Sequence, residues 1–332
     1  MNDTPGRMRK VLKWAALGLL LLMFAVSIFF NIALSMLVIG QSASGSDAAK
    51  FREFTVEGEG PDKAALIPIR GLIGSGYGDS LFGGRGMVAS ILSQLKKAAG
   101  DNAVKAVILE IDSPGGSVGD SDLIYHEVQK IRKSGKPVVS FLRDVATSGA
   151  YYVAVGSDKI IAQPTTITGN IGVIVHSVNV EGLFQKLGIR EVIIKKGRMK
   201  DLLSPTRPLT PEEEQLLQGI TDEVFYRFAT VVASQRKLSR EQMSHIADGR
   251  IFLAPEALRA GLVDAIGYRD ESLAAVRGML GVKKIRLIRY EKLFSLREML
   301  SASSHAFSPL VSLREGMMEA AAPKLMYLWT ID

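Results

Sequence analysis

The chain has 332 residues, 47% of them hydrophobic, and no cysteine. That length and apolar content suffice for a large core and exclude disorder as a description of the whole chain, while the lack of cysteine removes thiol nucleophiles, disulfides and Cys-based zinc sites, leaving covalent catalysis to Ser, Thr, Lys or a carboxylate. The formal net charge is +7, but Arg7, Arg9, Lys10 and Lys13, against Asp3, put much of it into the first thirteen residues, and the remainder is too dispersed for a nucleic-acid-binding face.

Residues 14–39, WAALGLLLLMFAVSIFFNIALSMLVI, carry no charge, and Asn31 is their one strongly polar residue. About 20 apolar residues in a helix cross the hydrocarbon core, so this run spans with room for tilt. A cleaved signal peptide competes, because Ser42-Ala43-Ser44 resembles a small-residue cleavage site. Its apolar region would be about 7 to 15 residues, shorter than this run, which favours a retained anchor. The basic residues 1–13 predict a cytoplasmic tail and place everything after the span on the extracytoplasmic side. Residues 40–60, with GQSASGSDAAK, read as a flexible tether.

Beyond the tether, apolar runs alternate with amphipathic patterns. Strands are predicted at 64–72, 104–112, 137–142 and 159–162, with helices at 87–99, 120–133 and 148–156 between them. This rhythm indicates βαβ units, an α/β fold with a mostly parallel sheet and flanking helices. Thr210-Pro211-Glu212-Glu213 forms a capping box with proline at the first helical position. Behind it Leu217, Ile220, Val224, Phe228 and Val231 mark one buried face of a long helix, assigned to packing. A second short core is expected in GRIFLAPEALRAGLVDAIG, with a strand near 285–290. The apolar tail 301–332, ending KLMYLWTID, is expected to dock on this core or on a neighbouring subunit. The glycine-rich GLIGSGYGDSLFGGRG lacks a G-x-G-x-x-G in register and reads as a mobile loop near a substrate groove.

Three stretches carry candidate chemistry. In ILEIDSPGGSVGDSD, Gly115 to Gly119 matches G-x-S-x-G with Ser117 at its centre. A nucleophile elbow follows its strand directly, whereas here Ser113-Pro114 intervenes and proline withholds an N–H. Gly115 and Gly116 offer backbone free of side chains, either a tight turn or an oxyanion hole. In DVATSGAYYVAVGSDKIIA, small residues surround Ser148 where a strand meets a helix, a setting for a nucleophile or, equally, for a helix cap by Thr147 or Ser148. In VIIKKGRMKDLLSP, after a strand ending near Ile194, Lys195, Lys196 and Lys200 surround Gly197. A lysine acts as a base only when desolvation lowers its pKa. Nothing marks His126, His176, His245 or His305 as a triad base.

Together DSPGGSV, TSGAYYVAVGSDKIIAQPTTITGNIGV, GRMKDLLSP and DGRIFLAPEALRAGLVD resemble the signal peptide peptidase A family of membrane-anchored Ser-Lys proteases, whose fold is similar to that of the Clp protease and crotonase superfamily. The resemblance covers the anchor and roughly residues 64–290, within a protease domain at 61–292 followed by an extension at 293–332. It implies Ser148 as nucleophile, Lys200 in the G-x-x-K position as general base, and the amides of Gly115 and Gly116, joined by Gly149, as oxyanion hole; Ser117 is then a loop residue. The chain departs from the family in TGNIGV, where Asn170 replaces a serine whose hydroxyl contacts the lysine; an amide carbonyl can still accept a bond from Lys200.

The resemblance further implies attack on a peptide carbonyl, an acyl-enzyme released by water, substrates among remnant signal peptides and membrane-proximal hydrophobic segments, and a homo-oligomeric ring that completes and screens each site. It implies no metal and no cofactor. Acyl-CoA hydratases and isomerases of the same superfamily also use glycine amides, but they are soluble and rely on carboxylates. An inactive membrane scaffold would lack the nucleophile or the base, and both are present.

Overall fold

The computed structural model describes residues 13–15, 17–32, 51–74, 86–292 and 325–329. They divide into two units between Lys50 and Phe51. The N-terminal unit holds helix α1 (Lys13–Ile32), with mean hydropathy 2.4. Its Leu20, Leu21, Leu22, Phe29 and Phe30 are all largely exposed. By length and composition α1 is able to cross a bilayer, and apolar side chains on every face are what lipid contact requires. Residues 33–39 of the predicted span and 40–50 of the tether predicted at 40–60 lie outside the described residues, while residues 51–57 form a strand rather than a tether.

The larger unit begins with strands β1 (Phe51–Glu57) and β2 (Lys63–Arg70), helix α2 (Met87–Gly100), and strands β3 (Val104–Ser113) and β4 (Gly115–Ser117). Helix α3 (Val118–Lys133), strand β5 (Val138–Thr147), helix α4 (Gly149–Ala154), strands β6 (Lys159–Ala162), β7 (Ile167–Gly169) and β8 (Ile174–Val175), and helix α5 (Glu181–Leu187) follow. Next come helices α6 (Pro211–Arg236) and α7 (Arg240–Ile246), strand β9 (Ile251–Leu253), helix α8 (Ala254–Arg259), strand β10 (Ala265–Ile266), helix α9 (Arg269–Leu280) and strand β11 (Arg286–Lys292). Strand β12 (Leu325–Leu328) lies near the C-terminus.

The main sheet runs β1-β11-β2-β3-β5-β6-β10, with β7 added to β5 and β9 to β7. All neighbours from β11 to β10 are parallel, as is β7 to β5; β1 and β9 are antiparallel to their partners. This is the α/β architecture with a mostly parallel sheet that the sequence predicts. A parallel strand covered on both faces reads as an unbroken apolar run, which explains AVILEI in β3. Its residues alternate between two cores: Val107, Leu109 and Ile111 face the side packed by α2, α3 and α4, and Ala106 and Ile108 join Leu273 and Val276 of α9 on the other.

Four expectations need correction. Strand β5 continues five residues beyond the predicted 142, past polar Arg143-Asp144, because its second half leaves β6 and pairs with β7. The segment 249–267 forms no core of its own among the described residues: Ala254, Ala257, Leu262 and Val263 join the cluster under α2, α3 and α4. The strand expected near Ile194 is absent, since residues 189–195 form no ladder. In α6, Phe228 is buried and Val224 and Val231 are partly covered, but Ile220 is 44% exposed, so the buried face occupies only the C-terminal half.

Candidate active site

Strands β3 and β5 lie side by side and parallel, with Ser113 opposite Ala146, so both deliver their following residues to one edge of the sheet. The carboxyl end of a parallel sheet is where such folds hold ligands. From β3 the chain turns through Pro114 into the short strand Gly115-Gly116-Ser117, and from β5 it turns at Ser148 into α4.

Ser148 occupies that turn with φ 55° and ψ −118°. A non-glycine residue there carries strain of about 1–3 kcal/mol and persists only when its surroundings fix it. They do: its N–H donates to the Gly169 carbonyl at 2.8 Å, and its own carbonyl accepts from the Tyr152 N–H at 2.8 Å. The residue is 1% exposed. Its hydroxyl has no hydrogen-bond partner among the described residues, nor has that of Thr147. Neither caps α4, so the alternative reading of this stretch does not describe it.

The glycines close around this serine. Gly115 (φ 100°) and Gly116 (φ 154°) adopt conformations that L side chains avoid. A Cβ on Gly115 would sit 2.7 Å from the Gly149 nitrogen and 3.1 Å from the Ser148 Cβ. One on Gly149 would come within 3.2 Å of the Gly116 nitrogen. Ser148 and the three predicted glycines thus share one small volume. The Gly115 N–H already donates to the Ser113 hydroxyl at 3.1 Å. The nitrogens of Gly116 and Gly149 border this volume, and Gly115 keeps it open by the side chain it lacks. Ser117 is not a bare loop residue: it ends β4 and caps α3, its hydroxyl accepting from the Asp120 N–H at 3.4 Å.

An extended segment lies against this edge. Strand β12 pairs antiparallel with β4, Met326 opposite Ser117, Tyr327 opposite Gly116 and Leu328 opposite Gly115, and on its other side with β8. The Trp329 N–H extends the contact to the Pro114 carbonyl at 3.0 Å. The tail therefore docks on the glycine strand; its residues 301–324 lie outside the described residues, as do residues 75–85 of the predicted glycine-rich loop. The loop's described start touches the site, because Ile73 exchanges bonds with the Gly115 carbonyl at 2.8 Å and the Ser117 N–H at 2.7 Å.

Lys200 is elsewhere. It follows a turn at Gly197 (φ 103°), where its N–H meets the Gly197 carbonyl at 3.2 Å. Its side chain is exposed and makes no hydrogen bond or ion pair with the described residues. Lys195, by contrast, is tied to Asp201 and, at 2.9 Å, to the Arg198 carbonyl. Arg207 grips Asp201 at 2.8 Å and Glu213 at 2.6 Å, fastening this loop to the start of α6. Arg207 and then Lys195 hold the Asp201 carboxyl well below its ordinary range. Arg207 and the Thr210 amide bring that of Glu213 down to about 2. The structure thus separates Lys200, which is unengaged, from Lys195, but it does not bring Lys200 to Ser148 within one chain.

Asn170 stands next to Gly169, which holds the serine. Its φ of 52° is one that asparagine tolerates better than most residues. Its side-chain amide donates to the Gly249 carbonyl at 2.5 Å, and no bond joins it to Lys200. No histidine touches the serine, whose hydroxyl is unpartnered, and His305 lies outside the described residues. Among the described residues no cluster of three or more His, Asp or Glu side chains could hold a metal ion.

Sequence reasoning missed the wall behind Ser148. Tyr152 and Phe228 meet there with ring centroids 5.2 Å apart, and Tyr125 packs on Tyr152 at 5.1 Å. The Tyr152 hydroxyl donates to Asp122 at 2.7 Å, and Arg227 bonds the same carboxylate at 2.6 Å. Burial works to raise the Asp122 carboxyl, but these two donors outweigh it and hold it below its ordinary value. Phe228 was visible only as one member of a helical apolar stripe, a pattern that packing alone explains.

Known proteins support the same reading. The model of peptidase family S49 matches residues 130–283. An Enterococcus faecium protein provisionally named signal peptide peptidase SppA is 36% identical over 71% of this chain and 69% of its own length. A provisionally named protease of Synechocystis is 38% identical over 63% of this chain and 72% of its own. Protease 4 of Haemophilus influenzae is 34% identical over 64% of this chain, which spans only 34% of that protein. With a mostly parallel sheet that delivers a strained serine and a glycine pair to one edge, and with relatives matched over more than two thirds of their length, the chain belongs to peptidase family S49, the serine peptidases of the signal peptide peptidase A type.

Proposed function

We propose that the protein is a membrane-anchored endopeptidase in which Ser148 attacks the substrate carbonyl and Lys200 is the general base. The observation that carries this reading is the buried, unpartnered Ser148 hydroxyl at a strained strand-to-helix turn beside Gly116 and Gly149, with an extended strand already in antiparallel register on β4. Neutral Lys200 takes the serine proton as the hydroxyl adds to the carbonyl, and the two amides hold the oxyanion. The lysine returns the proton to the leaving amine, and water then releases the acyl-enzyme.

The base comes from a neighbouring copy. In one chain Ser148 is buried without a partner, while Lys200 sits in an arm whose apolar side chains face outward, Val192 at 82% and Ile194 at 97% exposure. A homo-oligomeric ring that seats this arm on the next subunit would cover those side chains, desolvate the lysine and lower its pKa towards neutrality. Asn170, adjoining the residue that holds Ser148, would accept a hydrogen bond from the incoming lysine amine through its side-chain oxygen. With α1 as anchor, the N-terminus cytoplasmic and the protease domain outside, the substrates are remnant signal peptides and other hydrophobic membrane-proximal segments. Ser148→Ala and Lys200→Met each reduce peptide cleavage by at least about 10⁴-fold while leaving the unfolding temperature unchanged; full activity in either variant would overturn the assignment.

A further inference from the structure

A second concave site lies on the face of the sheet away from α4. Strands β2, β3 and β5 set Pro68, Glu110 and Phe141 side by side, and two residues further along β2 and β5, on the same face, stand Arg70 and Arg143. Helix α9 covers only the earlier part of this face, through Leu273 and Val276, which share a cluster with Leu66 and Phe141, whereas α4 packs into the other cluster. Beside the start of α9 at Arg269 the face opens into a cavity of about 490 Å³, within the range of about 300–1,000 Å³ that holds small ligands.

Its lining joins apolar and charged groups. Leu66, Pro68 and Phe141 form an apolar wall. The Glu110 carboxylate, 5% exposed, is bonded by Arg70 at 2.6 Å, and Arg269 stands 4.0 Å from it. Arg289 is held by Glu291. Arg143 lines the same cavity but makes no side-chain hydrogen bond or ion pair with the described residues. A guanidinium beside an apolar wall and without a carboxylate of its own is a fork open to an incoming oxyanion, and the start of α9 adds the positive end of its dipole. Gln163 belongs to the lining too, and its Oε1 is buried without a hydrogen-bond partner, which calls for a donor. The ligand these groups describe carries one negative charge, an N–H close to that charge, and an apolar body. A dianion such as a phosphate monoester fits less well, because Glu110 and Asp270 already bring carboxylates to the lining.

We propose that this cavity binds the carboxyl-terminal residue of an apolar peptide, with the carboxylate on Arg143, the backbone N–H donating to the Gln163 side chain, and the apolar side chain against Leu66, Pro68 and Phe141. On the function proposed above, cleavage of apolar segments creates such ends, so the cavity would hold the enzyme's own product on the face of the sheet away from α4.

The test reads binding rather than turnover. Full-length Ser148→Ala protein in detergent is titrated with the fluorescent peptide AAL bearing a free carboxylate, and with the same peptide as its amide. The free carboxylate should bind about 10-fold more tightly than the amide or better. Arg143→Met should abolish that preference, and Arg143→Lys should keep part of it, since lysine retains the charge without the fork. Gln163→Leu should weaken the peptide by about 3- to 10-fold. Equal affinity for carboxylate and amide, or a preference that survives Arg143→Met, would overturn the site, and a peptide seated in the active-site groove instead would give that second result. Should Arg143→Met fail to fold, Arg143→Lys decides the same point, because a preference undiminished there would also overturn it. Free leucine competing at the peptide's own concentration would overturn the peptide as ligand, and inorganic phosphate or phosphatidylglycerol displacing the peptide more readily than unlabelled peptide does would overturn the carboxylate. Because Ser148 is replaced throughout, a failure of the Ser148/Lys200 chemistry leaves this result intact, and a parent that cleaves peptides while its Ser148→Ala form shows no preference for the carboxylate would sink the cavity alone.

Discussion

The two residues that the motifs pair, Ser148 and Lys200, sit in regions built on opposite terms. Around the serine, residues 138–163 thread through β5, α4 and β6 with almost every apolar side chain buried, and the strained backbone is held by bonds to β7 and α4. Around the lysine, α5 buries none of its residues, and Leu183, Leu187, Val192 and Ile194 are all exposed. Rigid packing permits a serine with φ 55°, whereas the segment that carries Lys200 keeps its apolar side chains outside the core. On the function proposed above, one protomer would supply the nucleophile and the oxyanion amides, and its neighbour the base.

Charging the arm breaks this comparison most severely. Ile194→Asp places a carboxylate in the surface we assign to subunit contact; the expected outcome is loss of the assembled form by light scattering and a fall of about 10- to 100-fold in peptide cleavage, with the protomer's unfolding temperature unchanged. A smaller effect probes the serine side. The Asp122 carboxyl is held below its ordinary value, so the stability it contributes is present above about pH 4, where it is ionised even unfolded, and is lost as pH falls through its lower folded pKa. Asp122→Asn should therefore lower the unfolding temperature at pH 7 and bring it closer to the parent below pH 3, a modest difference because the group is partly exposed. The smallest effect belongs to Ser117→Ala, which removes one helix cap and costs about 1 kcal/mol by denaturant titration, with cleavage within about twofold of the parent.

What the sequence disclosed followed from how local each signal is. The capping box of Thr210 and Glu213 forms as four adjacent residues dictate. The glycine pair after β3 and the small residues around Ser148 announce close backbone approach, and the structure brings them together. Features that depend on a distant partner were not legible. The apolar run up to Ile194 reads as a strand but finds no ladder among the described residues, and the stripe on α6 is buried at Phe228, where Tyr152 and Tyr327 meet it, and left open at Ile220. The tail's apolar character forecast docking, yet its partner is a three-residue strand, too short for any pattern to announce, and Phe228 could not be told from an ordinary core residue until Tyr327 was placed on it.

The central claim, a site shared between copies, is tested most directly by co-expressing Ser148→Ala and Lys200→Met chains under different affinity tags and assaying the doubly captured assembly. Each variant alone is inactive. Random assembly pairs an intact serine with a neighbour's intact lysine at about one site in four, so the mixed assembly should recover up to about a quarter of the parental activity. Mixed assemblies as inactive as either variant alone would contradict the account and place both residues of the dyad within one chain.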